Sequence, residues 1–276
     1  MDEIFQAIIL GIVQGASEFL PISSSGHLIL VPYIFNWHGI VDSLSFDVAL
    51  HIGTTVAVIA YFWKDWVELI TAFFKALPRG LSGILSDFKA KFFLILIIGS
   101  VPAALIGFVF QDFIEKNVRQ PLLVAGFLIG FSLVLFLADR VGKGNRDQKK
   151  VGFIDGLIVG LAQSVSLLPG VSRSGITITS GLFRNMDRET ATRFSFLLST
   201  PIIVGAGALK LKDIFQGSVA AGSQAVFLTG FIAAAISGWF AIKFLLKFVQ
   251  TNNFTVFVIY RLLVGFAIIA FVFFKG

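Results

Sequence analysis

Two polar residues lie four positions apart inside an apolar N-terminal segment. Gln14 and Glu18 begin the stretch QGASEFLPISSSGH (residues 14–27), and in a helix this spacing places both side chains on one face, one turn apart. A carboxylate within a membrane helix costs roughly 2.5–3.5 kcal/mol on insertion scales, so it usually has a partner or a function. Glu18 is therefore either the partner of an arginine that fixes packing or a residue with a chemical role.

Two related clusters of serine and glycine predict an anion site. The first (SSSG, 23–26) precedes the apolar stretch HLILVPYIF, and the second (SRSG, 172–175) precedes ITITSGLF. Free backbone N–H groups at a helix start, together with the helix dipole, bind anions and most often phosphate. The alternative is ordinary N-capping by serine, but the arginine of the second cluster favours phosphate. The predicted phosphate-binding residues are Ser23, Ser25, Gly26, Ser172, Arg173, Ser174 and Gly175.

The same stretch holds candidates for catalysis. His27 follows the serines and is either a structural hydrogen-bonding residue or an acid, base or nucleophile near neutral pH. Ser24 is a candidate nucleophile if His27 or Glu18 activates it. A phosphate and a carboxylate repel each other unless a cation such as Mg²⁺ bridges them, and Glu18 with substrate oxygens would hold such an ion.

Other polar residues are weaker candidates. Asp47 and His51, again four apart, begin a predicted spanning helix and are expected to lie behind the residues that touch the substrate. Arg261 is expected to neutralise a buried carboxylate or, alternatively, to contact an anionic headgroup. Residues 71–91 alternate basic and apolar side chains, which predicts an interfacial helix without a chemical role.

The composition predicts the elements that position these residues. Of the 276 residues 56% are hydrophobic and 14% are charged, whereas soluble domains average about 25% charged residues. Several apolar runs approach the ~20 residues that cross a bilayer. The chain lacks cysteine, which excludes disulfides and thiolate chemistry. Spanning helices are predicted near residues 45–63, 91–111, 121–139, 189–210, 222–246 and 254–274.

Two further segments, 3–36 and 152–186, are long, apolar and broken midway by the polar clusters. Each predicts a helix, a polar loop and a second helix that together enter the membrane and return, with the loop buried in protein or reached by water. A shift of 149 residues aligns 11–26 with 160–175, and six of these 16 positions are identical. The chain is therefore predicted to be one membrane domain, 1–276, made of duplicated halves 1–140 and 150–276.

Loop charge predicts the orientation of the halves. Residues 139–150 hold five basic and two acidic residues, so this loop is predicted to be cytoplasmic. The net charge of +6 has the same explanation and does not indicate a nucleic-acid partner. The predicted fold is an all-α polytopic membrane protein in which six spanning helices and two re-entrant hairpins form an inverted repeat, with both polar loops near the midplane.

The motifs resemble those of a known family. QGASE (14–18) is similar to the (E/Q)xxxE element, and PGVSRSGIT (169–177) to the PGxSRSxxT element, of the undecaprenyl-diphosphate phosphatases of the bacitracin-resistance type. FLPISSSGH, which ends at His27, and IYR (259–261) also fit, so the resemblance covers the whole chain. Glutamine at position 14, where other members carry glutamate, removes one carboxylate. The matched residues are Glu18 and Gln14 for metal, and Glu18, Ser24, His27 and Arg173 for catalysis, with Arg173 as phosphate clamp. Ser172, Ser174 and Thr177 are the matched phosphate-binding residues of the second motif.

The resemblance implies a multi-pass phosphatase of the bacterial inner membrane with an active site that opens to the periplasm. Such enzymes hydrolyse a C55 polyprenyl diphosphate to the monophosphate, recycle the lipid carrier of peptidoglycan synthesis and confer bacitracin resistance. A divalent cation, Mg²⁺ or Ca²⁺, is the expected cofactor. The expected partners are the polyprenyl diphosphate and membrane lipids, and a homodimer is one candidate assembly.

Hydrolysis is the predicted function, and the attacking group is Ser24, His27 or an activated water. Transport of polyprenyl phosphate, alone or besides hydrolysis, is the alternative, because inverted repeats of broken helices also build transporters. A purely structural scaffold would leave the paired polar loops without an explanation.

Overall fold

The fold is helical throughout the part of the chain that the structure, a computed structural model, describes: residues 3–118, 120–216 and 224–275. No β-strand occurs in these ranges, where a single isolated bridge joins Arg146 and Met186. The α-helices are α1 (Glu3–Phe19), α2 (Ser24–Phe35), α3 (Leu44–Tyr61), α4 (Trp63–Ala76), α5 (Gly80–Ser86), α6 (Phe88–Asn117), α7 (Pro121–Val141), α8 (Phe153–Val165), α9 (Arg173–Phe183), α10 (Arg188–Gln216), α11 (Gln224–Phe248) and α12 (Thr255–Lys275).

Five helices of the described ranges are long and apolar enough to cross a membrane. They are Leu44–Tyr61, Phe88–Phe110, Pro121–Val141, Gln224–Phe248 and Thr255–Phe274. The sixth predicted span, 189–210, lies within the 29-residue helix α10. This helix buries the hydroxyl side chains of Thr192, Ser195 and Ser199 against its neighbours. The chain is an all-α polytopic membrane protein.

The two broken segments form helix pairs, as the sequence predicts. α1 and α2 are separated by residues 20–23, and α8 and α9 by residues 166–172. The break ends at Ser23 in one pair and at Ser172 in the other, and both have left-handed backbone angles, with φ of 76° and 73°. Each of these serines caps the helix that follows it. The aligned positions of the two segments therefore have the same local geometry.

Aligned glycines also pack in the same way. α1 crosses α11 closely at Gly11, and α8 crosses α6 closely at Gly160. A methyl group on Gly11 would overlap the carbonyl oxygen of Gly230, and one on Gly160 would overlap that of Gly99. This correspondence is what a duplication produces, and the boundaries 1–140 and 150–276 stay a prediction.

Ion pairs fix the connection between the two predicted halves. Arg146, in the connecting loop, donates from Nη1 to Asp155 Oδ1 (2.9 Å) and from Nη2 to Oδ2 (2.6 Å). Arg184 Nε donates to the same carboxylate at 2.8 Å. The hydrogen bonds that Arg146 donates to Asp155 raise the pKa of Arg146 above its usual value. The basic residues of this loop therefore anchor it to α8 and to the end of α9.

The segment predicted to be one interfacial helix, 71–91, spans the end of α4, α5 and the first residues of α6. The buried side of α4 and α5, at Leu69, Ala76 and Ile84, packs towards the start of α6. The other side exposes apolar residues at helical spacing, namely Trp63, Val67, Ile70, Phe74, Leu77, Leu81 and Leu85. This pattern is typical of a helix at a membrane surface, and the interfacial position stays a prediction.

Candidate active site

The Glu18 carboxylate is where the two broken segments meet. Arg173 Nη2 donates to Oε1 at 2.7 Å, and Ser24 Oγ donates to Oε2 at 2.5 Å. Gln14 Nε2 also donates to Oε2, at 3.1 Å. Glu18 is buried, and its carboxylate accepts hydrogen bonds from these three side chains. The sequence predicted these four residues as one site, and the structure brings them together.

The helix breaks give these side chains their positions. Glu18 lies in the last turn of α1, Ser24 is the first residue of α2, and Arg173 is the first residue of α9. Ser174 Oγ donates to the carbonyl oxygen of Leu20 at 3.0 Å and so joins the second loop to the first. Two helix N-termini, with their partial positive charge, therefore flank one carboxylate.

A cavity of about 280 Å³ opens beside this cluster. Both loops, α3 and α10 form its walls, and its volume is near the lower end of the roughly 300–1,000 Å³ typical of ligand pockets. Such a space accommodates a phosphate-bearing headgroup but not a long lipid chain. The lining residues are Glu18, Ser23, Ser24, Ser25, Val48, His51, Thr55, Ser166, Leu167, Ser172, Arg173, Ile202, Ile203 and Gly207.

Some predicted phosphate-binding residues lie behind the cavity wall. The N–H groups of Gly26 and Gly175 donate to the capping serines of their own loops, at 3.4 and 3.1 Å. Thr177 Oγ1 donates to the carbonyl oxygen of Arg173 at 2.8 Å and lies 2.6 Å from the hydroxyl of Ser195. These contacts, like that of Ser174, fit support of the loops. Their assignment to phosphate binding stays a prediction.

His27 is not among the cavity-lining residues. Its Nδ1 lies 2.7 Å from the carbonyl oxygen of Ser23, and its Nε2 lies 2.7 Å from the hydroxyl of Tyr260. The two rings also stack, with centroids 5.6 Å apart. The structural alternative raised by the sequence accounts for both ring nitrogens, and a catalytic role for His27 stays a prediction.

His51 lines the cavity and lies closer to Glu18 than the sequence analysis predicted. Its Nε2 lies 3.8 Å from Glu18 Oε2, and its Nδ1 lies 2.8 Å from the carbonyl oxygen of Asp47. The only signal in the sequence was a polar pair at the start of a spanning helix. The packing of α3 against α10 and α11, which sequence spacing does not give, turns this side chain towards the cavity.

The prediction that Arg261 neutralises a buried carboxylate is wrong. Among the residues that the structure describes, the partners of this fully buried guanidinium are backbone carbonyl oxygens, at 3.0–3.2 Å. Carbonyls at helix breaks lack the helical partners that would otherwise satisfy them, and Arg261 supplies donors to both loops at once. The four acceptors belong to Leu128, Pro21, Gly170 and Val171.

The side-chain oxygens of Glu18 and Gln14 are suitable ligands for a divalent cation that also binds the substrate. Glu18 contributes carboxylate oxygens, and the side-chain oxygen Oε1 of Gln14 is buried without a hydrogen-bond partner. The described residues contain no group of three or more His, Cys, Asp and Glu that could hold a metal ion. This set suits an ion that completes its coordination with water and phosphate oxygens, as Mg²⁺ does.

Comparisons with known proteins agree with the predicted family. A family model described as "Bacitracin resistance protein BacA" matches residues 7–267. The undecaprenyl-diphosphatase of Thermodesulfovibrio yellowstonii is 44% identical over 279 residues, which cover 100% of both chains. That of Moorella thermoacetica is 46% identical over 267 residues, 97% of each chain, and that of Pelotomaculum thermopropionicum is 45% identical over 266 residues, 96% of each chain.

These relatives are named for hydrolysis, so lipid transport, the alternative function, gains no support from them. The match to the family extends over both broken segments and over the last helix that ties their loops together. This chain belongs to the BacA family of bacitracin resistance proteins.

Proposed function

We propose that this chain hydrolyses undecaprenyl diphosphate to undecaprenyl phosphate and inorganic phosphate. Full-length similarity to proteins named undecaprenyl-diphosphatase supports this substrate. The product would re-enter cell-wall polymer synthesis as its lipid carrier, and consumption of the diphosphate would confer bacitracin resistance. The observation that carries the mechanism is the triple hydrogen bonding of Glu18 by Ser24, Gln14 and Arg173.

Ser24 is the proposed nucleophile, with Glu18 as its base. The hydroxyl already donates to the carboxylate at 2.5 Å, within the reach that proton transfer requires. As Oγ attacks the terminal phosphorus, its proton passes to Glu18, the anhydride bond breaks and the lipid monophosphate leaves. Water then attacks the phosphoserine, Glu18 returns its proton to Oγ as the P–Oγ bond breaks, and the oxygen and protons of the water leave in inorganic phosphate. The position of Ser24 at the N-terminus of α2 adds positive potential for the phosphoryl group.

Arg173 is the proposed phosphate clamp. Its guanidinium pairs with Glu18, and a diphosphate in the cavity would share its donors. Charge that builds on the phosphoryl oxygens in the transition state would then face a fixed guanidinium in a site with little water. When Arg173 pairs with phosphate, one oxygen of Glu18 loses its charged hydrogen-bond donor. Substrate binding would therefore make Glu18 a better base.

Glu18 and Gln14 would hold the divalent cation, Mg²⁺ or Ca²⁺. When bound, the ion supplies positive charge that screens phosphate from carboxylate and stabilises the leaving oxygen. Gln14 also orients Glu18 through its amide N–H group. The headgroup would lie in the cavity, and the prenyl chain would lie between helices in the apolar part of the membrane.

The proposed location is the bacterial inner membrane, with the cavity open to the periplasm. Charge in the 139–150 loop supports a cytoplasmic position for that loop. The first broken segment would then enter the membrane from the periplasmic side and return to it. A homodimer stays a prediction.

Hydrolysis is tested with the purified full-length protein in detergent. Undecaprenyl diphosphate and Mg²⁺ are added, and inorganic phosphate is measured over time. Release that requires both protein and cation is the expected result. Movement of polyprenyl phosphate across liposomes without phosphate release would overturn the proposal in favour of transport.

A further inference from the structure

His51 has a position in the cavity that the proposed reaction does not use. The chain has three histidines, and their surroundings differ. His38 is exposed and lies 3.2 Å from the side chain of Asn36, while the ring nitrogens of His27 contact Ser23 and Tyr260. His51 alone among the three lines the cavity, where its Nε2 faces Glu18.

The contacts of His51 define what Nε2 offers. A carbonyl oxygen only accepts hydrogen bonds, so the 2.8 Å contact with Asp47 places the proton of the neutral ring on Nδ1. Nε2 then presents a lone pair to the cavity. Histidines that bind metals almost always donate their other ring N–H to a carboxylate or a backbone carbonyl, as His51 does.

The space between His51 and Glu18 suits an ion. Two ligands that each lie about 2.1 Å from one cation are at most about 4.2 Å apart. The distance from His51 Nε2 to Glu18 Oε2 is 3.8 Å, which leaves room for a bridging cation and is too long for a hydrogen bond. The buried, unpartnered Oε1 of Gln14 belongs to the side chain whose Nε2 donates to that same carboxylate oxygen.

We propose that His51 is a ligand of the divalent cation, together with Glu18 and Gln14. The site has a single carboxylate, and the imidazole of His51 supplies a further ligand for the cation. A nitrogen ligand raises affinity for Mn²⁺ and Zn²⁺ relative to Ca²⁺ and Mg²⁺, which take oxygen ligands. The proposal rests on the proposed function in one respect only, which is that the site binds a divalent cation.

Direct spectroscopy of bound Mn²⁺ tests this ligand without an activity measurement. The full-length protein in detergent is titrated with Mn²⁺, and electron spin echo envelope modulation records nuclei within the first shell. Wild-type protein is expected to show ¹⁴N modulation that changes to the ¹⁵N pattern when histidine alone is ¹⁵N-labelled. Bound Mn²⁺ without histidine nitrogen modulation would overturn the proposal, and this measurement needs no substitution that could perturb folding.

Single variants assign the signal to one of the three histidines. His51→Ala is expected to lose the modulation and to weaken Mn²⁺ binding at least about tenfold. His51→Gln, which offers an oxygen, is expected to lose the modulation while retaining more of the affinity. His27→Ala and His38→Ala are expected to keep the modulation. Modulation that persists in both His51 variants would contradict the assignment.

Metal competition gives a second readout. In wild type Ca²⁺ is expected to displace Mn²⁺ poorly, whereas in His51→Asp the added carboxylate should make Ca²⁺ a better competitor by at least about tenfold. Unchanged competition would count against a ligand role. Failure of hydrolysis with histidine-bound Mn²⁺ would refute the proposed function alone, and hydrolysis without histidine coordination would refute the ligand alone.

Discussion

At the scale of single residues, the site depends on one carboxylate that has several donors. Glu18 takes hydrogen bonds from its own helix through Gln14, from the following helix through Ser24 and from the distant Arg173. The i, i+4 spacing made the first of these contacts predictable. The contact with Arg173 spans 155 residues of sequence and depends on the packing of two helix pairs.

Replacement of Arg173 tests the phosphate clamp. Arg173→Lys keeps the charge but loses the planar pair of donors, so kcat/KM for undecaprenyl diphosphate is expected to fall about 10–100-fold. Arg173→Ala should lose about 10²–10³-fold, as when a transition-state donor is removed. Arg184→Lys, whose side chain pairs with Asp155 outside the cavity, is the matched control and should change kcat/KM less than threefold. Wild-type activity in Arg173→Lys would contradict the clamp.

At the scale of helices, the site exists because two helix pairs break at the same point. Ser23 and Ser172 adopt left-handed backbone angles and cap α2 and α9. Arg261 then holds the loops that precede both helices. The breaks were predictable from the polar clusters within apolar segments. The role of Arg261 was not, because its partners are backbone carbonyls and backbone groups leave no trace in the sequence.

Arg261→Met tests whether the buried guanidinium stabilises the loops that precede α2 and α9. The change keeps an apolar stem but removes the donor to the loop carbonyls of Pro21, Gly170 and Val171, and each unsatisfied group costs roughly 1–3 kcal/mol. The free energy of unfolding is expected to fall by at least about 3 kcal/mol, measured by denaturation in detergent micelles. Arg261→Lys should recover part of this loss. A Met variant as stable as wild type would show that the loops do not depend on this residue.

Glycine substitutions test the close helix crossings of the two segments. Gly11→Ala and Gly160→Ala each place a methyl group against a backbone carbonyl, which overpacks the crossing and costs about 1–3 kcal/mol. Similar losses of thermal stability are expected for both, because the crossings correspond. Gly130→Ala, where a methyl group meets nothing within 4 Å, is the control and should leave Tm unchanged or slightly higher. Tolerance of alanine at position 160 would refute the close approach.

At the scale of the whole molecule, hydropathy predicted most of the architecture. The predicted spans correspond to helices, and α10 buries hydroxyl side chains against neighbouring helices. The internal repeat indicated that two loops would meet, and the structure joins them through Ser174 and Leu20. The position of His51 required the packing of α3, so no local pattern could reveal it.

The predicted orientation of the halves is testable because the chain has no cysteine. His38 and Asn145 are both exposed, and loop charge predicts that they lie on opposite sides of the membrane. In intact cells a membrane-impermeant maleimide is expected to label His38→Cys but not Asn145→Cys. In inside-out vesicles the pattern should reverse. Labelling of both variants from the same side would refute the inverted arrangement.

The rate of phosphate release by Ser24→Ala tests the proposed nucleophile, since the hydroxyl of Ser24 donates to Glu18. Undecaprenyl diphosphate hydrolysis is expected to fall at least about 10³-fold, as when a covalent nucleophile is removed. Ser25→Ala, which alters a neighbouring residue of the same cavity, should lose less than tenfold. A Ser24→Ala protein that retains more than a tenth of wild-type activity would contradict the account and indicate direct attack by water.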